Sequence, residues 1–329
     1  MPITTINPQR STLVICRTPS LSYIQISKLH LFDLNQGQIM QEKTTHHLLI
    51  HYPFTADNTL VVVTGFFQQH GFHVLTIEQQ ISPEEPVAFM RIELQSSLKP
   101  SDDEALKHQF ESQVAARYKM QWDLQCLKKP KNIVIFVSRH DHVLLDLLKR
   151  RKQQRLNANV LCIISNHPDL RHEVEKIAGL PFHEVPVNKT TKLTYEQEIT
   201  DLLKNNKPDL IVLARYMQVL SADFVRQYKH KIINIHHSFL PAFAGANPYQ
   251  QAFHRGVKLI GATAHYVTSE LDQGPIIEQD AIRVSHRYST ADLKDIGSDL
   301  ECNVLSRAVH WHLEDRVIVH GNKTTIFYS

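Results

Sequence analysis

The chain has 329 residues, of which 42% are hydrophobic and 21% are charged, and its formal net charge at pH 7 is +3. This length allows two domains with a core in each, and the composition is typical of a soluble globular protein. The small net charge argues against a nucleic-acid-binding protein, which needs basic residues clustered on one face. The four cysteines form no Cys-x-x-Cys pair, so neither a disulfide framework nor a zinc ribbon is indicated.

Neither a membrane span nor a secretion signal is indicated by the sequence. No stretch approaches the roughly 20 apolar residues that cross a bilayer, and the first residues lack the charged-then-apolar layout of a signal peptide. We therefore expect a cytoplasmic protein that interacts with neither membranes nor nucleic acid.

Residues 1–45 are treated as an N-terminal extension to which no role is assigned. Ser11–Cys16 and Ser22–Leu31 have the composition of short strands, and Gln36–Thr45 is polar, as a linker is.

Residues 46–127 predict a small domain in which strands and helices follow the order βαββαβ. That order is the split ferredoxin-like arrangement. Gly71 suits the left-handed position that ends the first helix. The expected strands and helices are Leu48–Tyr52, Leu60–Gln69 (helix), Val74–Ile81, Val87–Leu94, Asp102–Tyr118 (helix) and Met120–Leu127.

Residues 128–131 form a polar linker that contains a proline, and residues 132–329 then alternate between strand and helix. This alternation predicts a doubly wound, mostly parallel α/β domain with helices on both faces of the sheet. The expected strands are Ile133–Val137, Val160–Ser165, Phe182–Val185, Leu210–Ala214, Ile232–His236, Ile260–Val267 and Ile276–Val284. The expected helices are Val143–Leu156, Leu170–Ala178 (capped by Gly179), Tyr195–Asn205, Ala222–Tyr228 and Ser289–Leu313.

The position of the glycines excludes two large classes of nucleotide-binding enzyme. None of the ten glycines lies between Gly71 and Gly179, so the first strand of the α/β domain leads into Ser138–His142 without a glycine. Dinucleotide-binding and P-loop folds need glycine in that turn, where the backbone approaches phosphate. A Rossmann dehydrogenase and a P-loop NTPase are therefore excluded.

Three polar residues near the end of the predicted sheet are the best candidates for catalysis. Asn234 and His236 lie two apart on one strand, so their side chains share a face, and ligands of open α/β sheets bind beyond the carboxyl ends of strands. Asp272 follows in a loop that turns at Gly274-Pro275. Asn234 suits an oxyanion donor, His236 a proton carrier, and Asp272 a group that orients the imidazole or binds the attacking water.

Two other interpretations of these residues stay open on the residues alone. The chain has 21 histidines, so Asn-x-His by itself is weak evidence of catalysis. A metal site could use His236, His237, His254 and His265. Adjacent residues of a strand point to opposite faces, however, and no His-Glu-x-x-His spacing is present, so we expect no metal.

Longer sequence strings resemble the formyltetrahydrofolate deformylase family. The resemblance implies a folate-dependent formyltransferase-type fold and hydrolysis of 10-formyltetrahydrofolate to formate and tetrahydrofolate. This reaction would supply formate for purine synthesis and balance the one-carbon folate pool. The family's catalytic Asn, His and Asp correspond to Asn234, His236 and Asp272. The strings are Asn234–Pro241, Gly245–Tyr249, Gly261–Ile277, Ile164–Leu170, Leu213–Gln218 and Trp311–Arg316.

The resemblance also implies a folate pocket and no cofactor other than the substrate. Related glycinamide ribonucleotide formyltransferases hold their acceptor's phosphate on a glycine-containing loop, and Ser138–His142 lacks that glycine, which favours a hydrolase. Asp141 is expected to cap the following helix. Ala244 and Asn247 stand where a basic residue is expected. The implied pocket residues are Met217, Gln218, Val219, Leu220, His265, Val267, Leu271 and Gly274.

Residues 46–127 resemble an amino-acid-sensing ACT domain. Such domains often carry Asp-x-x-Gly before the first helix, whereas Pro53–Leu60 has no glycine. Two roles for this domain therefore stay open. It binds an amino-acid effector, or it has a purely structural role in a homo-oligomer, expected to be a tetramer. Two other functions also stay open, namely formyl transfer to an amine and folate-binding regulation without turnover.

Overall fold

In the computed structural model, which describes residues 43–54, 58–97, 103–127, 129–187, 192–241 and 248–328, the chain forms two sheets and a C-terminal hairpin. The strands expected in residues 1–42 lie outside the described residues, as do Ala244 and Asn247. Thr44 and Thr45, expected to be linker, already belong to the first strand.

The N-terminal sheet has four antiparallel strands in the order β2-β3-β1-β4. This order confirms the ferredoxin-like arrangement. Gly71 has φ +79, as a left-handed helix end requires. The second helix expected in this domain is interrupted by a π-helical turn, Glu111–Ala115, which divides it into α2 and α3. The elements are β1 (Thr44–Pro53), α1 (Thr59–Gln69), β2 (His73–Ile81), β3 (Val87–Ser96), α2 (Asp103–Phe110), α3 (Ala116–Tyr118) and β4 (Gln121–Cys126).

Strand β1 is buried on both faces. Leu48 and Ile50 are fully buried in the core between the sheet and its helices. Their neighbours His47 and His51 point the other way and contact residues near the C-terminus. Because side chains alternate along a strand, β1 joins the small core to the rest of the protein.

The second sheet has seven strands in the order β11-β10-β9-β8-β5-β6-β7. Strands β5 to β9 pair in parallel, whereas β10 runs antiparallel to both of its neighbours. The elements are β5 (Lys131–Val137), α4 (His142–Lys152), β6 (Ala158–Ser165), α5 (Arg171–Ala178), β7 (Phe182–Glu184), α6 (Lys192–Asn206), β8 (Leu210–Ala214), α7 (Ala222–Gln227), β9 (Ile232–His236), α8 (Pro248–Arg255), β10 (Leu259–Tyr266), β11 (Ile276–Arg283) and α9 (Thr290–Leu313).

Helices cover both faces of this sheet, which confirms the doubly wound, mostly parallel fold. Ile133 and Ile135 of β5 belong to a core with side chains of α4 and α9. Val134 and Phe136, which alternate with them, belong to a core with side chains of α6 and α7. Both faces of β5 are buried, so its sequence is continuously apolar.

Three elements are absent from the expectations, and several boundaries differ. The expectations omit helix α8 and the hairpin of β12 (Val317–His320) and β13 (Lys323–Ile326). Helix α4 ends at Lys152 rather than Leu156, because Gln154 adopts φ +58. Strand β5 begins at Lys131, inside the expected linker. The domain boundaries themselves stay predictions.

Among the described residues, no helix combines the length and apolar character that crossing a membrane demands.

Candidate active site

One cavity of about 800 Å³ lies at the carboxyl ends of β8 and β9. Its wall includes His140, from the turn after β5. Strands β6 and β7 lie on one side of β5 in the sheet, whereas β8 and β9 lie on its other side, so the strand order reverses between β5 and β8. Open α/β folds bind ligands at such a switch point. All the residues expected to form the site line this cavity: Asn234, His236, Asp272, Met217, Gln218, Val219, Leu220, His265, Val267, Leu271 and Gly274.

Asn234 is held by a hydrogen bond from its side-chain amide. Its Nδ2 lies 3.3 Å from His265 Nε2. His265 Nδ1 lies 2.9 Å from the carbonyl oxygen of Tyr266, which can only accept. His265 therefore carries its proton on Nδ1 in the neutral ring, and Nε2 accepts from Asn234. One amide hydrogen of Asn234 is used in this way, and the other is available to a ligand.

Asp272 reaches His236 through a loop that doubles back along β9. Because β10 runs antiparallel to β9, its end at Tyr266 pairs with Ile233, near the start of β9. The loop must therefore return to the other end of β9. Asp272 adopts φ +57, in a region that Asp tolerates better than most residues. Gly274 packs so closely on Tyr266 that a Cβ there would overlap the Tyr266 carbonyl oxygen.

The carboxylate of Asp272 fixes the imidazole of His236. Its Oδ2 lies 3.2 Å from His236 Nδ1, and its Oδ1 lies 3.7 Å from His265 Nε2. The hydrogen bond from His236 is the main cause that holds the pKa of Asp272 well below its usual range. Asp272 is thus ionised at neutral pH. His236 Nε2 is buried and has no hydrogen-bond partner among the described residues.

Exposed apolar side chains form the outer part of the cavity. Met217 is 58% exposed, Val219 54% and Leu271 68%, although each lines the cavity. Exposed large apolar groups around a cavity are typical of a site that binds a ligand with an apolar face.

Ser138 organises the cavity wall and does not cap a helix. Its Oγ donates to Asn166 Oδ1 at 2.7 Å and accepts from the Met217 backbone nitrogen at 3.0 Å. The prediction that Asp141 caps α4 is wrong, because its side chain makes no capping hydrogen bond. Its backbone is already helical (φ −99, ψ −18), whereas a capping residue is normally extended.

Two cavity residues differ from the sequence-based predictions. His237 was expected on the opposite face from His236, but β9 ends at His236 and the chain bends, so both rings line the cavity, 5.3 Å apart. Arg215, directly after β8, also lines it. Arg215 stands at the carboxyl end of a predicted strand, and that position is a signal that sequence reasoning could have used.

Comparisons with known proteins identify the family. Residues 131–309 match the family model described as formyl transferase. The formyltetrahydrofolate deformylase of Bacillus subtilis (strain 168) is 47% identical over 266 residues, which cover 80% of this chain and 88% of that protein. A crystal structure of a formyltetrahydrofolate deformylase from Pseudomonas syringae pv. tomato has a TM-score of 0.82 and 42% identity, over 88% of this chain and 96% of that chain.

A more distant match covers a smaller share of this chain. Glycinamide ribonucleotide transformylase 1 from Symbiobacterium toebii has a TM-score of 0.58 and 27% identity, covering 62% of this chain and 97% of that chain. The deformylases match over most of both chains and at higher identity. This chain belongs to the formyltetrahydrofolate deformylase family.

Proposed function

We propose that this enzyme hydrolyses 10-formyltetrahydrofolate to formate and tetrahydrofolate, with Asn234, His236 and Asp272 as the catalytic residues. One observation carries the assignment of roles. His236 Nδ1 is held 3.2 Å from an ionised Asp272, while Nε2 of the same ring has no partner among the described residues. His236 and Asn234 both line the cavity.

Asn234 supplies the oxyanion donor. Attack of water on the formyl carbon moves negative charge onto the formyl oxygen. The second amide hydrogen of Asn234 is free to donate to that oxygen, because the first is donated to His265. The position of the donor is fixed before the reaction, so little reorganisation is needed when the charge develops.

His236 carries the proton. With Nδ1–H directed at Asp272, Nε2 has the lone pair that accepts a proton from the attacking water. The C–O bond forms, and His236 Nε2 then donates the proton to N10 as the C–N10 bond breaks. The products are tetrahydrofolate and formic acid, which loses its proton to solvent and becomes formate. Asp272 stays ionised, holds the tautomer and stabilises the imidazolium.

The apolar part of the cavity suits the folate. Met217, Val219 and Leu271 offer a surface for a flat ring, and backbone groups of Gln218 and Gly274 are within the same wall for its polar edge. Leu220, Val267 and His265 complete the proposed binding residues. The steps above use only side chains and water, so activity should persist in the presence of a chelator.

A homo-oligomer is proposed as the working form. Strand β2 is at the edge of its sheet, and Leu75, Ile77 and Ile81 are 47%, 41% and 50% exposed. An edge strand with exposed apolar side chains is a ready surface for a second copy. The tetramer, the cytoplasmic location, the amino-acid effector and the role in purine synthesis stay predictions.

The assignment of Asn234 and His236 is tested by replacing each with alanine. Removing one oxyanion donor typically lowers turnover by about 100- to 1,000-fold, so Asn234→Ala should keep its circular dichroism spectrum and lose most formate release. His236→Ala should lose at least as much. Turnover like that of the parent in both variants would show that the roles are wrong.

A further inference from the structure

A buried polar cluster at one end of the cavity takes no part in the catalytic steps above. It consists of Arg215, His142, Tyr249 and Glu301, here called the Arg215 cluster. The side chain of Arg215 is 10% exposed and that of Glu301 1%. Arg215 Nε lies 3.5 Å from Glu301 Oε2 and makes no hydrogen bond within the described part of the chain.

Glu301 is the buried counter-ion of Arg215, and two hydrogen bonds hold its carboxylate in position. Its carboxylate accepts from His142 Nε2 at 2.8 Å and from the Tyr249 hydroxyl at 2.6 Å. Burial acts to raise the pKa of Glu301, but His142, Arg215 and Tyr249 outweigh it, and the pKa lies below its usual range. Gly297 makes room for this arrangement, because a Cβ there would overlap the Tyr249 hydroxyl.

The backbone of Arg215 also indicates that this side chain has a fixed place. Arg215 adopts φ +62, in the left-handed region that L-residues with long side chains rarely adopt. A strained conformation of this kind persists only where the surroundings determine it, and such positions concentrate at functional sites.

The guanidinium lies near the ring that adjoins His236. Burial, and after it the charge of Arg215, lowers the pKa of His237 to about 4, so His237 is neutral near pH 7. The His237 ring is 5.3 Å from that of His236 and 6.0 Å from that of Tyr249. The His237 ring thus adjoins both His236 and the Arg215 cluster.

We propose that Arg215, held by Glu301, is a specificity-determining residue that restricts the attacking nucleophile to water. This inference rests on the proposed function. The side chain of Arg215 lines the same cavity as Asn234 and His236, and we expect its volume to restrict the approach of any amine larger than water to the formyl carbon.

The competing reaction with an amine passes through a tetrahedral intermediate of the same kind, in which the formyl oxygen is negatively charged. In the amine reaction a C–N bond forms, the C–N10 bond breaks and N10 gains the proton, giving an N-formyl amine and tetrahydrofolate.

The test measures how the formyl group is divided between water and an amine. Full-length wild type, Arg215→Gly and Arg215→Gly/Glu301→Gln are each incubated with 10-formyltetrahydrofolate and glycinamide, and N-formylglycinamide and formate are quantified. The double variant avoids leaving Glu301 as an uncompensated buried charge. Lys207→Gly is the matched control, because Lys207 is exposed, has φ +44 and lies outside the cavity wall.

The ratio of N-formylglycinamide to formate should rise at least tenfold in one or both Arg215 variants, and should not change in Lys207→Gly. General damage to the fold lowers both products and does not move this ratio. An unchanged ratio in variants that still hydrolyse the substrate overturns the inference alone. Folded variants that form neither product overturn it as well, because Arg215 would then serve hydrolysis itself. A wild type that releases no formate overturns the proposed function instead.

Discussion

Asp272 shows how much of the site depends on the placement of a single carboxylate. It lies 3.2 Å from His236 Nδ1, on a residue with φ +57. The carboxylate selects the tautomer of His236 in which Nδ1 carries the hydrogen and Nε2 the lone pair. Without the negative charge, neither the tautomer nor the imidazolium would be stabilised.

Asp272→Asn should therefore lower turnover by roughly 1,000- to 10,000-fold, as expected when the wrong imidazole tautomer is favoured. The measurement is the rate of formate release at saturating substrate. Asp280→Asn is the matched control, because Asp280 pairs with Arg307 at 2.7 Å on the exposed part of β11. Its activity should stay close to that of the wild type. Asp272→Asn with more than a tenth of wild-type turnover would contradict the proposed role.

The depressed pKa of Asp272 also predicts a pH dependence of stability. A carboxyl group with a lowered pKa in the folded state stabilises the fold above its unfolded pKa of about 3.9, and this contribution is lost as the pH falls through the folded pKa. The difference in unfolding free energy between wild type and Asp272→Asn should thus be larger at pH 5 than at pH 3. Urea denaturation at both pH values measures it, and a constant difference would show that Asp272 gains nothing from its partners.

At this scale, the sequence allowed part of the site to be predicted. The period of two along a strand places Asn234 beside His236. The contact of Asp272 with His236 does not follow from periodicity, because it depends on β10 running antiparallel to β9. The pairing of Arg215 with Glu301 could not be predicted either, because α9 and the end of β8 meet only in the folded protein.

At the scale of elements, the loop from Val267 to Pro275 depends on one close backbone contact. The backbone of Gly274 packs against the carbonyl of Tyr266, and the Tyr266 nitrogen donates to the Pro275 oxygen at 2.9 Å. A side chain at residue 274 cannot fit unless the loop moves, and the loop carries Asp272.

Gly274→Ala should consequently lower turnover by more than tenfold, because displacement of Asp272 by even about 1 Å is costly to catalysis. The control is Gly65→Ala in α1, where a Cβ meets nothing within 4 Å. That change should leave turnover intact and stabilise the protein by about 0.5–1 kcal/mol, because alanine favours helix. Steady-state kinetics and denaturant unfolding of both variants provide the comparison. Equal activity of the two variants would refute the close packing at Gly274.

The elements that the sequence analysis did not predict do have recognisable sequence patterns. Helix α8 begins at Pro248, and proline is favoured in the first turn of a helix. The hairpin of β12 and β13 turns at Gly321-Asn322, with Gly321 at φ +58, which is a recognised hairpin pattern. By contrast, the early end of α4 could not be predicted, since no glycine or proline stands between Val143 and Leu156.

At the scale of the whole molecule, the C-terminal hairpin lies between the N-terminal sheet and the loop that carries Asp272. Ile318 and Phe327 pack on Phe89 of β3. On its other side, Asn322 Nδ2 donates to the Gln273 carbonyl at 3.1 Å, next to Asp272. The N-terminal sheet therefore contacts the hairpin, and the hairpin contacts the loop that carries Asp272, the proposed catalytic carboxylate.

A buried ionic cluster around Asp315 connects the four-stranded sheet to the seven-stranded sheet. Asp315 Oδ2 lies 3.2 Å from His47 Nδ1, and Lys131 donates to Oδ1. Arg91 donates to the Asp315 carbonyl at 3.0 Å and to His47 Nε2 at 3.1 Å. These contacts join distant parts of the chain, so no local pattern in the sequence could have predicted them.

Asp315→Asn should destabilise the protein by up to about 3–5 kcal/mol, the usual cost of breaking a buried ion pair by removing one partner. Asparagine tolerates the left-handed backbone of this residue, φ +52, so the loss reflects the charge. Asp201→Asn, which breaks an exposed pair with Lys204, should barely change stability. Urea denaturation measures both, and equal effects would mean that the interface cluster does not hold the sheets together.

The most direct test of the whole account is incubation of the purified protein with 10-formyltetrahydrofolate in the absence of any amine. Formate and tetrahydrofolate are then both assayed. The proposed function predicts stoichiometric formation of the two products, at a rate proportional to enzyme concentration. Intact substrate and no formate would contradict it, and would leave formyl transfer to an amine, and then folate binding without turnover, as the functions to examine.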